Sequence, residues 1–202
     1  MKTSKNTLRS LLSFLLLVSA AACVNADELS IGAKAPQFSL ANAVDGKTVA
    51  FHPGDGKVSV VVFTCNQCPY AKAFEPRIIE LAKQYQAKGI AFYAIDSNDE
   101  SQYSEESLAE MKSRATQKAY PYPYLKDGNS AIARAYGARV TPHVYVIDGS
   151  GTLRYRGYVD DSAKPEERRT TGLANALDEL LAGKTVSNQA TRAFGCTIKF
   201  KA

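Results

Sequence analysis

Val58-Ser59-Val60-Val61-Val62-Phe63-Thr64-Cys65-Asn66-Gln67-Cys68-Pro69 is the stretch on which the fold turns. Its first seven residues form an apolar, β-branched run that reads as a buried strand, and Pro69 reads as the first turn of a helix. Between the two lies C-x-x-C. A helix N-terminus carries partial positive charge and unpaired N–H donors, so a cysteine placed there is stabilised as the thiolate that attacks disulfides. The two-residue spacing lets the thiols close into a small, reversible disulfide. Such a pair can also be half of a zinc site. No second C-x-x-C or H-x(3–5)-H occurs in the chain, which favours redox chemistry over metal, and no cofactor is expected.

Strands and helices alternate outward from this segment. Gln37–Leu40 and Lys47–Phe51 flank Asp45-Gly46, a hairpin signal. Beyond the C-x-x-C, Phe74, Ile78, Leu81 and Tyr85 recur at helical spacing up to Gly89, with a kink or restart expected at Pro76. Ile90–Ile95 reads as the next strand, ending at Asp96-Ser97-Asn98-Asp99. Ser104 is placed to cap a helix with Glu105 and Glu106 in its first turn, and with Leu108, Met111 and Ala115 facing inward. Tyr122–Leu125 reads as a short strand, and Ile132–Tyr136 as a helix closed by Gly137. Val144–Ile147 and Leu153–Arg156 bracket Asp148-Gly149-Ser150-Gly151 as a second hairpin, and Leu173, Leu177, Leu180 and Leu181 mark a last amphipathic helix ending at Gly183. The alternation predicts an α/β sandwich.

The first residues differ from the rest. Lys2, Lys5 and Arg9 form a positive start, and Leu11–Ala22 an apolar run broken by Ser13 and Ser19, too short for a membrane span and suited to a secretory signal. Val24-Asn25-Ala26 suggests cleavage after Ala26, which divides the chain into a signal peptide (1–26) and one domain (27–202). The alternative is a lipoprotein anchored through Cys23 in Ala20-Ala21-Ala22-Cys23. Removing the leader takes away three positive charges and no acidic residue, so the formal charge of +5 becomes +2. A nearly neutral domain without a basic stripe argues against nucleic acid as a partner, and no integral membrane span is expected in it. Export implies a periplasmic or secreted protein in a compartment where disulfides persist. There Cys65, Cys68 and Cys196 are one pair plus an odd thiol.

Three segments resemble the thioredoxin-like superfamily, and within it the exported bacterial redoxin branch that includes AhpC/TSA-type, peroxiredoxin-related proteins. Phe63-Thr64-Cys65-Asn66-Gln67-Cys68-Pro69-Tyr70 is similar to an active-site segment that reads T-C-N-x-C-P-Y. Tyr136-Gly137-Ala138-Arg139-Val140-Thr141-Pro142-His143 resembles its Y-G-x-x-x-T-P-H stretch, and Gly195-Cys196-Thr197-Ile198-Lys199-Phe200 its G-C-x-I-K-aromatic ending. The likeness covers essentially the whole mature chain. It implies a thioredoxin-like fold, a central mixed β-sheet flanked by helices with an N-terminal β-hairpin extension. It also implies a cis peptide between Thr141 and Pro142, packed beside the dithiol where it positions substrate.

Cys65 is the candidate nucleophile, nearer the mouth of the turn and expected to have the lower pKa, and Cys68 is the resolving thiol. Asp96 or Asp99 is within reach of the site from the neighbouring strand end, although a solvated loop role competes. Cys196 is a possible third redox thiol, an inert buried one or a partner for another chain. His143 reads as structural. The function expected is thiol–disulfide exchange with protein or small thiols and an unidentified redox partner. A thiol peroxidase is the first alternative. The P-x-x-x-T/S-x-x-C pattern it requires is absent upstream of both cysteines, where Val58 and Val62 precede Cys65 and Val61 and Cys65 precede Cys68. The second is a copper-binding assembly protein on the same fold, with His143 as third ligand to two soft thiolates.

Overall fold

The computed structural model describes residues 28–202. The expected leader, with Cys23 and the cleavage point at Ala26, lies outside these residues. The Val58–Thr64 run forms β3 (Ser59–Phe63), every residue of which is buried. It is central because both of its faces are apolar: Val60 and Val62 pack into one core, Val61 and Phe63 into the other. β3 pairs in parallel with β4 (Ala91–Asp96) and antiparallel with β7 (His143–Ile147).

The remaining strands extend the sheet on both sides. β1 (Phe38–Asn42) and β2 (Thr48–Phe51) form the expected hairpin, and β1 joins β5 (Tyr124–Lys126), which pairs with β4. β7 turns through Asp148–Gly151 into β8 (Leu153–Gly157). The seven-stranded mixed sheet has the order β2-β1-β5-β4-β3-β7-β8. A separate two-stranded ribbon pairs β6 (Val140–Thr141) with β9 (Cys196–Thr197).

Helices cover both faces. α1 (Pro69–Gln86), α2 (Leu108–Gln117) and α4 (Gly172–Leu181) contribute Phe74, Ile78, Met111, Ala115, Leu173 and Leu177 to the core on the Val60/Val62 face. α3 (Ala131–Tyr136) packs on the other face through Ala133 and Tyr136, beside Phe38 and Phe51 of the hairpin. This is the α/β, thioredoxin-like architecture that the sequence suggests, with the hairpin added at one edge.

Two local expectations change. α1 continues through Pro76 without a restart. The missing N–H there costs one helical hydrogen bond, while Phe74 and Ile78 on either side are buried against the sheet, each side chain worth roughly 1.5–3 kcal/mol. The cap of α2 is Ser107, whose Oγ accepts the Glu110 N–H at 3.5 Å, and Ser104 instead opens a 3-10 turn over Ser104–Glu106. Leu108 is exposed while Met111 and Ala115 are buried. The shift of the cap moves Glu106 off a solvated first turn and into the interior.

α2 is tied to α1 by a polar clamp. Arg114 donates from Nε and Nη2 to the two oxygens of Glu75 at 2.8 and 3.0 Å, and the Tyr120 hydroxyl bonds the same carboxylate. Glu75 is buried on α1, so deleting it leaves a cation without its partner. Glu75→Ala is expected to lower unfolding free energy by about 3–5 kcal/mol in a urea titration. A loss below about 1 kcal/mol would show a pair screened by solvent.

Candidate active site

The chain leaves β3 at Phe63 and enters α1 through Cys68, which serves as the helix cap. Cys68 Sγ accepts the Ala71 N–H at 3.4 Å, a position that Ser, Thr, Asp or Asn usually fills. Pro69, in the first helical position, has no N–H to satisfy. The peptide between Thr141 and Pro142 is cis, in agreement with the resemblance. Thr141 then touches both sulfurs: its Oγ1 lies 3.2 Å from Cys65 Sγ, and its carbonyl oxygen accepts from Cys68 Sγ at 3.2 Å. Across the β6–β9 ribbon, Thr141 is the direct partner of Cys196. Cys65, Cys68 and Ala71 form one buried cluster with Cys196 packed against it, and all three cysteines are free thiols. Cys65 and Cys68 are only 5% and 3% exposed, whereas Cys196 is half-buried.

A carboxylate organises the C-x-x-C loop. Glu106 Oε2 accepts the Asn66 N–H at 2.7 Å, and Oε1 accepts the Gln67 N–H at 3.1 Å and the Asn98 amide at 3.2 Å. Asn66 is held further by its amide on Glu105 O (2.7 Å) and by the Tyr124 hydroxyl on its Oδ1 (3.1 Å). Beneath lies a buried charged group. Lys126 Nζ bonds the carbonyls of Asn98 and Glu106 at 2.8 and 2.7 Å and stands 3.7 Å from Asp96. Burial first, and then the Glu106 charge, raise the Asp96 carboxyl well above the usual carboxylate range; Lys126 opposes the shift.

The two thiols share a proton. Their mutual hydrogen bond, burial and the Glu106 carboxylate hold the proton on Cys65 and raise its pKa. The same hydrogen bond pulls Cys68 down to about 4, helped by contacts from Cys196, Thr141 and the Ala71 N–H and opposed by burial. The two thiols titrate as a pair, so the values belong to the pair rather than to either sulfur. The helix N–H assigned to Cys65 falls on Cys68, and a carboxylate that the sequence did not reveal faces Cys65.

The other candidates separate clearly. Asp96 lies buried beneath the loop, where its Oδ1 accepts the Asn98 N–H at 2.8 Å and Lys126 stands between it and Glu106. Asp99 turns instead to Ser101 and Gln102 within its own loop. His143 lies buried on β7 with Nδ1 at 3.3 Å from the Tyr145 hydroxyl, and burial lowers its pKa to about 4, so it is a neutral imidazole. Among the described residues no three or more His, Cys, Asp or Glu side chains are grouped to hold a metal ion, so His143 does not join the cysteines as a ligand. No described helix is long and apolar enough to cross a membrane. Glu106 and Asn66 are the site residues that sequence reasoning missed. Nothing in the local pattern separates exposed Glu105 from buried Glu106.

A C-x-x-C capping a helix beside a cis-proline, on this sheet, defines a thioredoxin-like protein. The family model for AhpC/TSA matches residues 31–156, a span that includes Cys65, Cys68, Thr141 and Pro142, and the chain belongs to that family. No curated protein matches it. Among solved structures, an uncharacterized conserved protein from Geobacillus kaustophilus is 38% identical, with a TM-score of 0.80, over 85% of this chain and 93% of that one. A hypothetical protein from Sinorhizobium meliloti is 31% identical, also at 0.80, over 87% and 97%. A thioredoxin family thiol:disulfide interchange protein from Chlorobium tepidum shares the fold at 23% identity and a TM-score of 0.55, over 67% and 91%.

Glu106→Gln keeps the shape of the side chain and removes its charge. With a charged acceptor lost from two loop N–H groups, stability is expected to fall by about 2 kcal/mol in denaturant unfolding. The Cys65 pKa should fall as well, because one cause of its elevation is gone. Unchanged stability and an unchanged thiol titration would show that the carboxylate neither holds the loop nor acts on the sulfur.

Proposed function

We propose that the protein is a thiol–disulfide oxidoreductase that cycles Cys65 and Cys68 between dithiol and disulfide on protein thiols, and that it acts as an oxidant. The observation that carries this reading is the single residue Thr141 in contact with both sulfurs of a helix-capping C-x-x-C, beside Pro142. The direction follows from the charge. A Cys68 thiolate stabilised at the helix N-terminus favours the reduced form and makes Cys68 a good leaving group.

In the productive sequence a substrate thiolate attacks Cys65 Sγ of the Cys65–Cys68 disulfide. Cys68 leaves as its thiolate, capped by the Ala71 N–H. The second substrate thiol, deprotonated, then attacks the substrate sulfur of the mixed disulfide. This forms the substrate disulfide and expels Cys65, which takes up a proton. Two electrons pass from substrate to protein. Glu106 keeps the Asn66–Gln67 loop in place while Cys65 changes partner, and Thr141 and Pro142 border the substrate sulfur.

The leader supports an exported protein, acting in the periplasm or outside the cell, where a disulfide-forming enzyme finds reduced substrates. One contact favours a second reading: the Thr141 hydroxyl beside Cys65 could steer a hydroperoxide in a peroxidase.

Oxidation of a reduced dithiol peptide should proceed with the wild-type disulfide form and be strongly slowed in Cys65→Ser, while Cys68→Ser offered a disulfide peptide instead should accumulate a mixed disulfide on Cys65. Full turnover by Cys65→Ser would remove the assignment. Consumption of hydroperoxide without dithiol oxidation would favour the peroxidase.

A further inference from the structure

Cys196 is the one sulfur in the cluster that the proposed exchange leaves unused, and the fold takes care to bring it there. Gly195 makes the approach possible: a Cβ at that position would stand 2.0 Å from the Thr141 carbonyl oxygen, a rigid backbone atom. The strand that follows is fastened on several sides. Ile198 N bonds Arg139 O at 2.8 Å, Asp99 N bonds Lys199 O at 2.8 Å, and Lys199 N bonds the Asn98 side chain at 2.7 Å. On the preceding side Phe194 packs edge-on against Phe74 and Tyr70 of α1, with ring centres 5.7 and 6.0 Å apart. Cys196 is thus clamped against the start of α1.

Its contacts there are chemical as well as steric. Cys196 packs against Cys65, Cys68 and Ala71, and its backbone pairs with Thr141, which touches both of the other sulfurs. Burial raises Cys196 to about 11, with the Cys68 hydrogen bond and charge adding to it. The two Cys68 contributions vanish once Cys68 is in a disulfide. Cys196 is held as a thiol while the pair is reduced and becomes the more readily ionised sulfur when it is oxidised.

We infer that Cys196 is a third redox thiol, which exchanges with the oxidised pair to give a Cys68–Cys196 disulfide. The Cys196 thiolate attacks Cys68 Sγ, the Cys68–Cys196 bond forms, the Cys65–Cys68 bond breaks, and Cys65 leaves as a thiolate that takes up the proton lost by Cys196. The step is redox-neutral and needs no further reactant. It moves the disulfide from two sulfurs that are almost wholly covered to one that solvent reaches, where the thiolate of a partner protein can attack Cys196 directly. This inference rests on the oxidoreductase reading and extends it by giving the site a second, more accessible face.

The test is disulfide mapping after mild oxidation of the full protein, with rapid acid quenching, alkylation and trypsin. Cys65 and Cys68 fall in the tryptic peptide 58–72 and Cys196 in 193–199. A cross-link between these peptides, with Cys65 alkylated, is the expected minor species in wild type, and it should become the main intramolecular disulfide in Cys65→Ser. A second measurement guards against misfolding of that variant: in oxidised wild type, a fraction of Cys65 should alkylate in step with loss of alkylation at Cys196. Complete alkylation of Cys196 in both proteins, or only intermolecular dimers in Cys65→Ser, would overturn the inference while a Cys65–Cys68 disulfide left the oxidoreductase reading standing. Formation of neither disulfide would overturn both.

Discussion

Thr141 is the residue on which the site depends. Its hydroxyl meets Cys65, its carbonyl meets Cys68, and its backbone pairs with Cys196. Three segments distant in sequence therefore converge on one threonine, and each is delivered by a different part of the fold. β3 brings the C-x-x-C, the cis-proline turn before β7 brings Thr141, and the β6–β9 ribbon brings Cys196. β3 and β7 are antiparallel neighbours with Phe63 opposite His143, so the end of one strand and the beginning of the other necessarily lie side by side. The site is a consequence of that register.

What distinguishes the centre chemically is the contest over charge. Two thiols and a carboxylate crowd a space that excludes water, and not all can ionise. Glu106 is engaged by two loop N–H groups and the Asn98 amide, so its charge is committed to holding the loop. Cys65, facing it, keeps a proton. In the proposed exchange Cys68, at the helix N-terminus, takes the charge. Below them Asp96 and Lys126 continue the same network into the sheet, which links the loop carrying the thiols to β4 and β5. The proposed oxidising role rests on this division, because the reduced state would be the one that holds the stabilised thiolate.

Much of this was legible in the sequence. The β-branched run ahead of C-x-x-C located the central strand, and the glycines and Asp-Gly pairs located both hairpins, since these signals act over a few residues. The cis-proline came through resemblance of short motifs, whereas the place of Cys196 beside the pair depends on the β6–β9 pairing. The missed features are those that depend on distant partners. Ser104 and Ser107 are equally good caps in isolation, and only the packing of Met111 and Ala115 selects the second. That choice buries Glu106 facing Cys65. Pro76 lies inside one continuous helix whose residues on either side of it, Phe74 and Ile78, are buried against the sheet.

The claim that the reduced pair shares one proton, with the charge on Cys68, is tested most directly by the reduction potential of Cys65–Cys68 as a function of pH. With Cys68 ionised from about pH 4 upward and Cys65 protonated, reduction takes up one proton for two electrons. The potential should then fall by about 30 mV per pH unit between about pH 5 and pH 8, and lie above the thioredoxin value of about −270 mV near neutrality. A slope of about 59 mV per unit, with a potential at or below that value, would mean that both thiols are protonated in the reduced protein and would contradict the account.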